Sequence, residues 1–393
     1  MRFILLLMFC ASIAFSQSHD SQLAYQFYQT GEYDKAIEIY KELSKGYNFT
    51  QYYHPYFQCL VFVENFSESK KLVERMIKRN SHYLPYYVDL YMIYKKLGDD
   101  VKAENNFKKI SEKLKKQDNQ VISVSNSFIK YSFYQEALDL FLLVEKNSET
   151  NKTYPIQKAQ LYQLLSDDEM MINEYLKYLE KNPTQKITIL NYLQRYLDNN
   201  GIENENNFNY VKKGLFRFSQ KEKETYVFSE LLIWLFMQNN EFNLAFLQAK
   251  ALDKRLKEDG YRIYDLAETF LDNKYYDLAI KSYRYIIDKG SNNYYYVDAH
   301  VNLLFALGNK ESIDLEKLDA LYTSTIKKLG ENNNTVLLMN NYAHFKAFYM
   351  SDLSSSKIIL EKIMNMSNIS KNDLAECKLV YADVMLLSGN VWS

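Results

Sequence analysis

Gly31, Glu64, Gly98, Ser132 and Ser166 stand 33, 34, 34 and 34 residues apart, and similar side chains follow each at the same distances. After Gly31 come Tyr33, Ala36 and Tyr40, in steps of two, five and nine; after Ser132 the same steps give Tyr134, Ala137 and Phe141. Glu64 is followed by Phe66, Ser69 and Val73, and Ser166 by Asp168, Met171 and Tyr175, with Pro183 as a stop. Gly98 keeps Ala103 and Phe107 but has Asp100 in place of the aromatic. Unrelated amphipathic helices would not hold such a register, so the chain is an internal repeat whose unit must be explained first.

The unit reads as two helices around a turn, as in LAYQFYQTGEYDKAIEIYKEL from Leu23 to Leu43. Each half is about 12–15 residues, long enough for a helix that has tertiary support but carrying only one apolar stripe. The two stripes face each other, and the apolar edge left over must be covered by the next hairpin. The small residue five places after the turn marks where two helix backbones approach. A bulky side chain at Ala137 should overpack that contact by roughly 1–3 kcal/mol, and truncating Phe107 or Phe141 to Ala should open a cavity costing about 3–5 kcal/mol.

Composition supports helices: only 10 Gly and 4 Pro in 393 residues is too few for a fold of many tight β-turns. The net charge of −1 gives no electrostatic reason to expect nucleic acid or an anionic membrane as partner. The 36 Tyr and 23 Phe suit half-buried packing in thin helical layers, or a stacking surface for sugars or peptides.

The first sixteen residues differ in kind, with Arg2 followed by the apolar run Phe3 to Phe15. That run is too short to span a bilayer and fits a signal peptide, with Ala14-Phe15-Ser16 as the cleavage context and Gln17 as the first mature residue. A lipoprotein through Cys10 is disfavoured because Phe9 stands where a small residue is preferred. No later segment is apolar enough to span a membrane, so the expected location is periplasmic or secreted. Cys59 and Cys377 are then expected to be free and buried, since an elongated array would hold them apart.

The pattern resembles the tetratricopeptide repeat (TPR) family. The resemblance is carried by the large-small pairs Leu23-Ala24 and Leu266-Ala267, by Gly31, Tyr33, Ala36 and Tyr40, and by the closing Pro183. It implies an all-α fold, a right-handed α-solenoid of antiparallel helix hairpins. Five regular repeats are expected over residues 17–184, and an enlarged, degenerate hairpin over 185–225 around Asn199-Asn200-Gly201. A second array is expected over 226–393. There the turns fall at Asn240, Lys274, Gly308, Ser351 and Gly389, with Ala245 and Ala279 at small positions. The last hairpin reads as incomplete, and VYADVMLLSGNVWS resembles the start of a motif in longer exported repeat proteins of Bacteroidetes-type bacteria.

By analogy with the family, the residue six before each turn points into a concave groove. That series is Tyr25, Gln58, Met92, Asn126 and Gln160, then Trp234, Glu268, Asn302, Phe345 and Asp383. Chaperone-binding relatives clamp a carboxylate with Lys, Asn and Arg; here Ser21, Tyr25, Pro55, Pro85 and Asp89 stand in those places, so that role is not expected. His19, His54, His82, His300 and His344 are scattered without metal-ligand spacing, no phosphate loop or nucleophile elbow appears, and no cofactor or catalytic residue is expected. The basic run Lys108 to Lys116 reads as a solvated face and Asp167-Asp168 as an exposed turn. The resulting expectation is a non-catalytic, exported protein-protein interaction scaffold holding a protein or peptide. The alternative is a small-ligand or carbohydrate capture module using the aromatic end near Phe345, Phe348 and Tyr349.

Overall fold

A computed structural model describes residues 19–45, 49–147, 152–198, 204–221, 226–310 and 314–389. The signal-peptide reading, Cys10 and the turn at Asn199 to Gly201 lie outside the described residues. Among those described there is no strand, and no helix is long and apolar enough to cross a membrane. The chain divides into two compact units, one ending at Lys181 and one starting at Asn182.

The described residues of the first unit form ten α-helices: α1 (19–30), α2 (Tyr33–Leu43), α3 (Phe49–Phe62), α4 (Phe66–Arg79), α5 (Pro85–Lys96), α6 (Asp100–Leu114), α7 (Val121–Lys130), α8 (Tyr134–Asn147), α9 (Pro155–Leu164) and α10 (Asp168–Lys181). Helices α5 and α6, α7 and α8, and α9 and α10 pack as hairpins, while α5 also packs on α7 and α6 on α8. These hairpins therefore pack both within themselves and on a neighbouring hairpin of the same unit, the file-like stacking expected of repeats that cannot bury both faces alone.

The second unit holds α11 (Lys186–Asp198), α12 (Asn204–Ser219), α13 (Val227–Gln238), α14 (Phe242–Leu256), α15 (Tyr261–Asp272), α16 (Tyr276–Ile287), α17 (Tyr296–Gly308), α18 (Leu315–Leu329), α19 (Val336–Phe348), α20 (Leu353–Met364) and α21 (Lys371–Leu387). Its described core does not gather at one centre. One cluster runs from Phe246 to Ala306 and another from Val301 to Val384, so α17 buries residues in both.

The turn explains the register. Gly31, Glu64, Gly98, Ser132, Ser166, Asn240, Lys274, Ser351 and Gly389 all adopt left-handed backbone, with φ from 55° to 80°. This geometry closes a helix by turning the next N–H back onto a carbonyl five residues earlier. Glu32 N donates to Phe27 O (2.9 Å), Asp99 N to Tyr94 O (2.9 Å) and Tyr275 N to Phe270 O (2.7 Å). The residue after the turn then starts the next helix. The side chains of Asn65, Asp99, Asp167 and Asp352 accept from the backbone N–H three residues on, each at 3.1 Å, the usual work of an N-cap. Asp167 is thus a helix cap as well as part of a turn.

Gly308 departs from the expectation. It lies inside the last turn of α17, and the helix is capped by Asn309 at φ −95°.

The small positions behave uniformly: Ala36, Ala103, Ala137, Ala245 and Ala279 are all buried, as are Ser69 and Ser356. Tyr40, Val73, Phe141, Tyr175 and Tyr283, nine after their turns, are buried too. Phe107 is only half-buried, so its truncation should cost less than that of Phe141. Cys59 and Cys377 are unbridged, buried thiols, and burial pushes each up to about 11.

Candidate binding recess

Three successive first helices of the first unit line one recess of about 510 Å3. Helix α3 contributes Tyr53 and His54, α5 contributes Tyr86 and Asp89, and α7 with its C-cap contributes Lys130 and Tyr131. The periodicity of α5 explains the geometry: PYYVDLYMIYKK is apolar nearly all round, and Asp89 is the one acidic residue in it. A carboxylate in such a helix needs donors, and the neighbouring helices supply them. Tyr53 OH donates to Asp89 Oδ2 at 2.5 Å and Tyr131 OH to Asp89 Oδ1 at 2.6 Å.

Burial raises the Asp89 carboxyl to about 6, against the opposing pull of the two tyrosine hydrogen bonds and of Lys130. Burial also lowers Lys130, with Asp89 opposing, and lowers His54, helped by Lys130. The Lys130 ammonium lies 2.9 Å from His54 Nε2, a contact that a neutral imidazole accepts. The recess therefore combines one acid, one base and a neutral ring, with tyrosines around them. Tyr83 stands beside it, 45% exposed and edge-on to Tyr86 at 4.7 Å. A perturbed carboxyl in a cleft is a recognised mark of a functional site. The arrangement can bind and orient by hydrogen bonds. Among the described residues no group of His, Cys, Asp and Glu is placed to hold a metal.

The residues expected to line a groove are divided by the structure. Tyr25, Asn126, Gln160 and Asp383 are exposed, and Trp234 is half-buried. Gln58 accepts a hydrogen bond from Tyr28 OH. Glu268 and Asn302 bond to each other at 2.8 Å, and Tyr283 OH also donates to Glu268. Met92 and Phe345 are 2% and 4% exposed; both are core residues, so neither presents itself in an open groove. Their helices are apolar on several faces, and the position six before the turn falls there on a packed side.

Asp89 stood out in the sequence only as an occupant of a family position, yet a lone acid in an apolar first helix was the signal for the recess. A second buried network gave less warning. Lys158 of α9 bonds to Glu145 of α8 at 2.7 Å and to Glu174 of α10 at 2.8 Å, and Lys177 joins Glu174 at 2.8 Å. Burial pulls the Lys158 ammonium down, but the two glutamates outweigh it and leave its pKa raised.

No protein-family model matches the chain, and no curated protein does. Among solved structures the chain is similar to the crystal structure of yeast Tom70, with 13% identity, 96% of this chain and 97% of that chain covered, and a TM-score of 0.32. The TPR domain of P58(IPK) has 10% identity, 95% and 99% coverage and a TM-score of 0.26. Naa15/Naa10 bound to HypK-THB has 11% identity, 95% and 66% coverage and a TM-score of 0.26. At these scores the likeness adds nothing to what the helices themselves show. The left-handed turns and the buried small residues make the described residues an array of TPR-like helical hairpins.

Proposed function

We propose that the protein is an exported, non-catalytic scaffold that holds a segment of a partner protein against the first helices of its first unit. The observation that supports this reading is the recess, to which α3, α5 and α7 all contribute polar side chains. Repeat arrays recognise extended segments by this kind of serial contribution, with pockets supplying specificity along a bound chain. The balanced charges of Asp89 and Lys130 suit a polar segment without strong net charge, since an excess of either sign meets a like charge within the recess.

Site-specific photo-crosslinking tests the proposal. A photoreactive residue at Tyr83, beside the recess, should trap a discrete partner in the cell envelope. The same probe at Val101, exposed on α6, should not, and Lys130→Glu should abolish the Tyr83 product. Equal products from both positions, or none from Tyr83, would count against the recess as the partner site. The export reading is tested separately: amino-terminal sequencing of the mature chain should begin at Gln17.

A further inference from the structure

The second unit has a cavity of a different chemistry, about 270 Å3, walled by α17, α18, α19 and Val380 of α21. Its lining contains no Asp, Glu, Lys or Arg. Burial keeps the one imidazole there, His344, below its ordinary value, against an opposing pull from Asp383. Aromatic rings form one side. Tyr322 and Phe345 stack at 5.5 Å and 25°, and Phe345 and Tyr349 at 5.8 Å and 24°. Tyr349 ends this stack 48% exposed, and Phe305 across from α19 is 45% exposed. Carboxamides supply the polar part of the wall: Asn309, Asn340 and Asn341.

Asn340 is the informative one. It is 7% exposed, and its Oδ1 meets no donor among the described residues. A buried polar atom without a partner calls for an explanation, and a side-chain amide offers both an acceptor and two donors once it turns.

We propose that this cavity is a binding site for a neutral, polyhydroxylated ring, namely a single pyranose of a sugar or glycoside. An ionic ligand would enter without a counter-charge, and a purely apolar one would leave the Asn340 and Asn341 amides facing hydrocarbon at a desolvation cost, Asn309 Nδ2 already donating to Phe305 O at 2.8 Å. A pyranose meets both halves of the wall. Its C–H face lies on Tyr349 or Phe305, and its hydroxyls donate to and accept from the amides, with Asn340 rotating to present Oδ1. The volume holds one ring and not a folded peptide segment. The site belongs to the second unit alone and stands or falls independently of the recess in the first.

Titration calorimetry on the full chain tests this, with methyl glucoside, methyl galactoside and methyl mannoside as neutral probes and glucuronate and glucosamine as charged ones. At least one neutral glycoside should bind with a Kd on the order of 1 mM or tighter, and both charged sugars should bind about tenfold more weakly or not at all. Tyr349→Ala and Asn341→Ala should each weaken the neutral sugar about tenfold while circular dichroism stays unchanged. Should a variant lose helicity, chemical-shift changes at the Asn340 and Asn341 side-chain amides of the unaltered chain report the same contact. Silence from all three neutral glycosides, equal binding of the charged sugars, or binding indifferent to both substitutions would overturn the proposal.

Discussion

Asn302 Nδ2 donates to Glu268 Oε1 across 2.8 Å, and the two residues occupy the same place in consecutive hairpins, six before Lys274 and Gly308. Tyr283 OH, from the second helix of the earlier hairpin, donates to the same carboxylate. One acid therefore ties together three helices of two repeats. Glu268→Ala leaves the buried Tyr283 hydroxyl without its acceptor and should cost about 1–3 kcal/mol. Urea unfolding of Glu268→Ala, Asn302→Ala and the double variant checks it: the single losses should sum to more than the double loss, because the residues share one bond.

The turns give a second expectation. Lys274 is exposed and holds φ at 63°, a conformation that costs a residue with a Cβ roughly 1–2 kcal/mol. Lys274→Gly removes that strain at the expense of a more flexible unfolded chain, so a net gain of up to about 1 kcal/mol is expected. Gly31→Ala should do the reverse by a similar amount: a methyl group there meets nothing within 4 Å, so its cost is backbone strain alone. Thermal melts of the two variants should shift in opposite directions.

Lys158 is buried between two glutamates. Lys158→Met would strand Glu145 and Glu174, and removing one partner of a buried ionic group costs about 3–5 kcal/mol. Lys177 still reaches Glu174, which places the loss at the lower end. Replacing Lys158, Glu145 and Glu174 together by apolar residues of similar size should recover most of it, as urea midpoints would show.

Acid should act through His300 and Asp89 in opposite senses. Burial, with Lys328 nearby, lowers His300 to about 4. Its unfolded form takes a proton near pH 6.5 while the folded form does not, so stability is lost as pH falls from about 6.5 to 4, by roughly 3 kcal/mol. Asp89, raised to about 6, takes its proton in the folded state first, so its contribution grows as pH falls from about 6 towards 4. Between pH 7 and 4.5, His300→Gln should lose less stability than the unaltered chain and Asp89→Asn should lose more, as measured by urea unfolding at both pH values.

Much of the fold was legible because the repeat is written in small residues. Ala36, Ala103 and Ala137 mark close helix approaches and are all buried. The left-handed conformation of Glu64, Ser132 and Lys274 was visible only through spacing, since none of these is a residue that favours it; the register, not local preference, fixes the turn. The site was less legible. Met92 and Asn126 hold the same repeat position, yet one is buried and the other exposed. Which face a first helix offers depends on the bulk of its neighbours as well as on its phase. Asp89, Tyr53 and Tyr131 come from three hairpins, and only folding brings them together.

Excision of one whole repeat tests the central claim, that these hairpins are equivalent units in file. Removing residues 98–131 joins the turn at Ser132 to the helix before Gly98 in unbroken register. The shortened chain should keep its helicity per residue and melt cooperatively, whereas removing only 98–114 should abolish the cooperative melt. If excision of 98–131 is as damaging as excision of 98–114, the hairpins are not interchangeable units.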